Sequence, residues 1–159
     1  MRLLRLISGK GVVKVLNTLT GLEKYASDVI RKRSSKPKFQ VHNNALLSAG
    51  QNSSFEMLRS NHKEWGRFAE SAVGAHLINS GIQNKFNVNY WNNGSYEVDY
   101  VIEKDNKTIA IEVKSGKDST SKGLDLYDKE FHPHGLFIVG TDGIPFEFFL
   151  SMNPMELFC

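Results

Sequence analysis

Residues 97–115, EVDYVIEKDNKTIAIEVKS, constrain the fold of this chain more than any other stretch. Apolar and polar residues alternate on both sides of the Asp105-Asn106 pair, which is the pattern of two half-buried strands. Asp and Asn both tolerate the left-handed backbone conformations that a two-residue hairpin turn demands. The stretch therefore predicts a β-hairpin whose turn is centred between Asp105 and Asn106.

This turn fixes which residues of the two strands oppose each other. A loop with an odd number of residues would shift every pair and spoil the apolar match. Asp99 is expected to face Glu112 on one side of the sheet. The other side is expected to be a continuous apolar surface, made of Val98, Tyr100, Ile102, Ile109, Ile111 and Val113.

Two opposed carboxylates are destabilising unless a cation lies between them. Hard oxygen ligands at this spacing suit Mg²⁺ or Mn²⁺, which use a few carboxylates, retained waters and phosphate oxygens. Lys114 lies two residues beyond Glu112 on the same face, where its ammonium group could orient a water or neutralise a phosphate. The alternative is an exposed charged sheet face, with Lys114 paired to Glu97 and no function.

Residues 61–81 carry apolar side chains at three- and four-residue steps, which predicts an amphipathic helix. Asn61 is the expected N-cap, with Glu64 three residues later, and Gly81 marks the expected C-terminus. Glu70 lies on the flank of the apolar stripe, either as a further site carboxylate or as an ordinary surface glutamate. Downstream, we expect strands at 85–91, 96–103, 107–114 and 135–140, a helix near 122–130, and a further strand from PFEFFL. This order predicts an α/β fold.

The N-terminal part of the chain is patterned differently. Apolar residues at roughly helical spacing, interrupted by glycines, predict short helices over residues 2–30. A basic turn follows, either as a nucleic-acid contact through phosphates or as a solvated tip. Its cations are Arg31, Lys32, Arg33, Lys36 and Lys38.

Composition excludes several classes of protein. Of the 159 residues, 40% are hydrophobic and 23% are charged, which is typical of a folded globular chain. The net charge of +3 is too small for a general polyelectrolyte binder. Cys159 is the sole cysteine, which excludes an intrachain disulfide and a cysteine-based zinc site. Because Arg5, Lys10 and Lys14 interrupt the apolar start, we expect no membrane contact and a cytoplasmic location.

Glu70 on a helix, followed by Asp99 and by Glu112-Val113-Lys114 on a hairpin, resembles the PD-(D/E)XK nuclease superfamily. The resemblance implies a restriction-endonuclease-like αβββαβ core with a mixed sheet. It also implies that Asp99, Glu112 and Glu70 bind Mg²⁺ or Mn²⁺ and that Lys114 and Glu70 are catalytic. Val98 stands where the pattern has its proline.

A wider resemblance covers KPKFQVHNNALLSAG, GRFAESAVGAHL, YWNNGSYEVDYVI and IEVKSG. These segments are similar to the C-terminal nuclease-like domain of unknown function of bacterial and archaeal AAA-type ATPases. The resemblance implies a winged-helix-like or helical linker segment over residues 1–50 and a nuclease-like domain over residues 51–159. The ATPase module itself is not in the sequence, so it would be a partner in cis or in trans.

Two functions remain open from the sequence. The first is a Mg²⁺-dependent nuclease-like domain that acts on or binds DNA, and therefore a metal-dependent endonuclease or phosphodiesterase. The second is a catalytically inactive nuclease-fold module that binds nucleic acid or protein and regulates a partner.

Overall fold

The computed structural model describes residues 4–7, 13–16, 19–26, 37–49, 54–116 and 121–159. Most of the predicted basic turn, from Arg31 to Lys36, lies outside these ranges. No helix in the described ranges combines the length and the apolar character that a membrane span requires.

A four-stranded mixed sheet forms the centre of the molecule. Its strands are adjacent in the order β5 (Asn87–Asn92), β6 (Glu97–Lys104), β7 (Lys107–Lys114) and β8 (Gly135–Gly140). The first three are antiparallel, and β8 runs parallel to β7. Helix α3 (His62–Asn84) precedes the sheet and α4 (Lys122–Phe131) joins β7 to β8. The predicted α/β fold with an αβββαβ order is therefore confirmed.

The two faces of the sheet bury separate apolar clusters. On one face, α3 contributes Val73 and Leu77 to a cluster with Tyr100, Ile102, Ile109 and Ile111. On the other face, α4 contributes Leu124 and Tyr127 to a cluster with Trp91, Val98, Val101 and Ala110. The sheet is thus the middle of three layers, and its central strands β6 and β7 are buried on both sides.

The central hairpin has the predicted turn and register. Asp105 and Asn106 adopt φ values of 49° and 63°, as a two-residue turn with left-handed residues requires. Tyr100 pairs with Ile111 and Ile102 with Ile109, as predicted.

A β-bulge in β6 breaks the predicted alternation. Asn89 pairs with Val101, but Trp91 pairs with Val98, so Asp99 and Tyr100 together oppose a single residue of β5. The extra residue turns Val98 towards the α4 layer, away from the face that holds Tyr100. The prediction that Val98 shares the apolar face of Tyr100 is therefore wrong.

The N-terminal ranges contain strands where short helices were expected. Strand β1 (Leu4–Ile7) pairs with β2 (Val13–Leu16), and β3 (Leu19–Leu22) pairs with β4 (Lys38–Val41). The helical prediction is wrong for β1, β2 and β3, because alternating leucines and valines also satisfy the two-residue period of a strand. The winged-helix-like unit over residues 1–50 stays a prediction. Two short helices follow, α1 (Ala45–Ala49) and α2 (Phe55–Ser60).

One helix boundary and one element type differ from expectation. The Asn61 cap is confirmed, since its side chain accepts the Glu64 backbone N–H, but α3 runs past Gly81 to Asn84 and is capped by Lys85, which adopts a φ of 58°. The segment PFEFFL forms α5 (Phe146–Ser151) and not a strand, because helical spacing buries Phe149 completely against the core. A short 3₁₀ helix, Pro154–Phe158, follows it.

Candidate functional site

Asp99 lies in the bulge of β6, where the pairing of β6 with β7 stops. The paired positions end at Tyr100 and Ile111, one step before Asp99 and Glu112 would face each other. The Asp99 carboxylate oxygen Oδ2 instead accepts the backbone N–H of Val113 at 2.8 Å. A side chain thus replaces a backbone acceptor, and the carboxylate is held in the gap between the two strands.

Glu70 and Lys38 approach Asp99 from α3 and β4. Lys38 Nζ lies 2.5 Å from Glu70 Oε1 and 3.6 Å from Asp99 Oδ1. It also lies 5.2 Å from the centre of the Tyr100 ring. Lys38, one cation of the basic turn for which phosphate contact and a solvated tip were both open, is therefore paired with two carboxylates.

Glu112 and Lys114 form a second ion pair on β7. Lys114 Nζ lies 2.8 Å from Glu112 Oε1, and both side chains are largely buried. The other carboxylate oxygen, Glu112 Oε2, is buried and has no hydrogen-bond partner. A buried carboxylate oxygen without a donor is costly, and Glu112 Oε2 is therefore an acceptor that a cation would satisfy.

The site holds an excess of negative charge. Burial, together with the nearby charges of Glu70 and Glu112, raises the pKa of Asp99 to about 7, against the opposing effects of Lys38 and the Val113 N–H. Burial acts to lower the pKa of Lys38, but the charges of Asp99 and Glu70 outweigh it and raise that pKa. The charge of Lys38 therefore does not offset burial and the neighbouring carboxylates, which together disfavour the ionised form of Asp99.

A buried hydrogen-bond network links the elements that carry Lys38, Glu70 and Asp99. The Tyr100 hydroxyl lies 2.9 Å from both Gln40 Oε1 and the Glu70 carbonyl oxygen. The Gln40 amide donates to the Ser71 carbonyl at 2.8 Å. Gly74 leaves room for the network, because a Cβ there would lie 2.3 Å from the Tyr100 hydroxyl.

Sequence reasoning missed Lys38 and Gln40 as partners of the site. Both lie on β4. Lys38 is 61 residues before Asp99, and Gln40 is 60 residues before Tyr100, its partner on β6. Their two-residue spacing places them on one face of the strand, and that was the only local signal of a shared role.

Two carboxylates of the site are the candidates to hold a divalent ion. Among the described residues, no group of three or more His, Cys, Asp or Glu side chains is arranged to hold a metal ion. Mg²⁺ often uses only one or two protein carboxylates and keeps several waters. Asp99 lies 3.6 Å from Lys38 and Glu112 lies 2.8 Å from Lys114, but each keeps an oxygen to offer: Asp99 Oδ1 and the buried Glu112 Oε2, which has no hydrogen-bond partner. Glu70 is already engaged by Lys38. The roles assigned to these residues stay predictions.

Comparison with known proteins gives one match. The family model described as a domain of unknown function, DUF4143, matches residues 65–152. This range includes Glu70, Asp99, Glu112 and Lys114, whereas Lys38 precedes it. No curated protein and no solved structure matches the chain.

Proposed function

Since the chain belongs to the DUF4143 family of domains of unknown function, its activity must be inferred from its site, and we propose a divalent-metal-dependent, PD-(D/E)XK nuclease-like domain that acts on DNA. The observation that carries the proposal is the position of the Asp99 carboxylate. This carboxylate lies where the β6–β7 pairing ends. It accepts a hydrogen bond from the Val113 N–H, and the negative charge of Glu112 raises its pKa. The αβββαβ order of the elements supports the same assignment.

In this proposal Asp99 and Glu112 hold the ion, with Glu70 beside them. A bound Mg²⁺ or Mn²⁺ would supply charge stabilisation for a phosphoryl group and acidify a bound water. Lys114 is fixed by Glu112, so its ammonium group is positioned to neutralise a phosphate oxygen or to orient the attacking water. Glu112 therefore binds the ion and also positions the Lys114 ammonium group.

A second function is favoured by a specific observation. Lys38 already neutralises Glu70 and contacts Asp99, as expected if the fold were retained to bind DNA or protein without cleaving it. In that case the domain is a binding or regulatory module. Cleavage assays separate the two functions.

We also propose an AAA-type ATPase module, in cis or in trans, as a partner. Support comes from the sequence resemblance and from apolar side chains on α5 that are exposed to solvent. Phe148 is 61% exposed and Leu150 is 40% exposed. Mutation of both to serine should weaken association with such a module and leave the stability of this domain nearly unchanged.

Titration with Mn²⁺ tests the metal site directly. Isothermal titration calorimetry on the wild-type protein should show binding, and Asp99→Asn and Glu112→Gln should abolish it, because each removes one ligand charge. Glu130→Gln is the matched control, since this glutamate is exposed on α4. Equal Mn²⁺ binding by all four proteins would place the ion elsewhere.

Plasmid nicking in the presence of Mn²⁺ or Mg²⁺ tests catalysis. Lys114→Met should lose nicking while it retains Mn²⁺ binding, and Lys129→Met, at an exposed lysine of α4, should behave as wild type. DNA binding without cleavage by the wild-type protein would favour the regulatory module.

A further inference from the structure

Lys38 presents its ammonium group to two of the acidic side chains in the proposed site. Its Nζ lies 2.5 Å from Glu70 Oε1 and 3.6 Å from Asp99 Oδ1. The Asp99 backbone oxygen is a third neighbour, at 3.5 Å. The Lys38 side chain is only 27% exposed. An ammonium group held in this way acts as an internal counterion of the carboxylates.

The hairpin of β3 and β4 holds Lys38 in place. Gln40, on the same face of β4, is 4% exposed and bonds to the Tyr100 hydroxyl and to Ser71. Leu22, which pairs with Lys38 across the hairpin, is 1% exposed and belongs to the main core. Because both neighbours are anchored, the backbone at Lys38 is fixed and only its side chain has freedom to move.

The two carboxylate oxygens of Asp99 differ in what they contact. Oδ2 accepts the Val113 N–H at 2.8 Å, whereas Oδ1 accepts no hydrogen bond from the backbone of β7 and faces Lys38, so Oδ1 has the greater capacity left for a cation. A divalent ion shared between Asp99 and Glu112 would meet the Lys38 ammonium group at this atom. Two cations at one desolvated oxygen repel each other strongly, since the surroundings screen them poorly.

Building on the proposed metal site, we propose that Lys38 and a divalent ion compete for Asp99 Oδ1, so that ion binding displaces the Lys38 ammonium group. Lys38 then lowers the apparent affinity of the site for metal. Metal occupancy becomes linked to the position of the Lys38 side chain, which projects from β4, a strand that precedes the range matched by the family model.

Calorimetric titration with Mn²⁺ alone tests the competition. Lys38→Met should bind Mn²⁺ roughly tenfold or more tightly than wild type, because the competing charged hydrogen bonds are gone. Lys38→Arg keeps the charge and should bind no more tightly than wild type. Lys129→Met is the control for loss of an exposed lysine, and it should leave the affinity unchanged.

A second measurement uses the wild-type protein and does not depend on a folded Lys38→Met variant. Limited acetylation with acetic anhydride, read by mass spectrometry, should modify Lys38 faster when Mg²⁺ is present, because the displaced ammonium group becomes exposed. Asp99→Asn should show no such change. Lys129 reports the reagent dose in every sample.

The outcomes separate this inference from the metal site itself. Suppose that wild type binds Mn²⁺, that Lys38→Met binds it equally or more weakly, and that Mg²⁺ does not change the acetylation rate of Lys38. The competition is then overturned, whereas the metal site stands. If neither wild type nor Lys38→Met binds Mn²⁺, the proposed metal site is overturned, and the competition with it.

Discussion

In the absence of metal, the stability of Asp99→Asn relative to wild type should increase from acid to alkaline pH. Asparagine keeps an oxygen for the Val113 N–H but removes the charge that burial, Glu70 and Glu112 disfavour. The folded-state pKa of about 7 exceeds the ordinary value of 3.8, so the folded protein holds this proton more tightly than the unfolded chain does. Asp99 therefore contributes stability that is fully present below pH 3.8 and is lost as the pH rises through 7.

The size of the effect follows from the same two values. The difference between about 7 and 3.8 corresponds to about 4 kcal/mol at full ionisation, at about 1.4 kcal/mol per pKa unit. Asp99 is only 8% exposed, so solvent screening reduces this little.

The assay is urea denaturation in buffer with EDTA at pH 4 and at pH 8. The difference in unfolding free energy between Asp99→Asn and wild type should increase towards pH 8 by about 4 kcal/mol at most. Glu130→Gln, at an exposed glutamate of α4, is the control for loss of a carboxylate and should not reproduce this increase. A constant or decreasing difference for Asp99→Asn would refute the account of its charge.

Three further predictions concern the framework of the site and are read by urea denaturation at pH 7. Tyr100→Phe should lower the unfolding free energy by about 1–3 kcal/mol, because it leaves Gln40 Oε1 buried without its donor; an unchanged midpoint would contradict this. Gly123→Ala should cost about 1–3 kcal/mol, since a Cβ would lie 2.0 Å from the Glu97 carbonyl oxygen, and a neutral effect would show that α4 can shift. Asn106→Gly should stabilise by up to about 1 kcal/mol, because φ is 63° there, whereas destabilisation would argue against the observed turn.

The elements that sequence reasoning located correctly are those set by local patterns. The turn at Asp105-Asn106 and the pairing of Ile102 with Ile109 follow from alternation and turn chemistry, and both are present. The cap at Asn61 is equally local and is also present. Such features depend on neighbours a few residues away, which one sequence displays directly.

The features that were missed depend on distant contacts. The bulge at Asp99 and Tyr100 interrupts the alternation without any glycine or proline to mark it. The sequence places Lys38 in a basic turn, as a phosphate contact or as a solvated cation, yet Lys38 contacts Asp99 across 61 residues of sequence. The sequence predicts helices where β1, β2 and β3 lie, because short apolar runs satisfy both the helical and the strand period.

The central claim is that Asp99 and Glu112 together bind a divalent ion, and anomalous diffraction from crystals grown with Mn²⁺ tests it most directly. The account predicts one anomalous peak about 2 Å from a carboxylate oxygen of each residue, with the Lys38 ammonium group moved away from Asp99. Ordered Asp99 and Glu112 side chains with no peak between them, at a Mn²⁺ concentration that saturates any calorimetric binding, would contradict it.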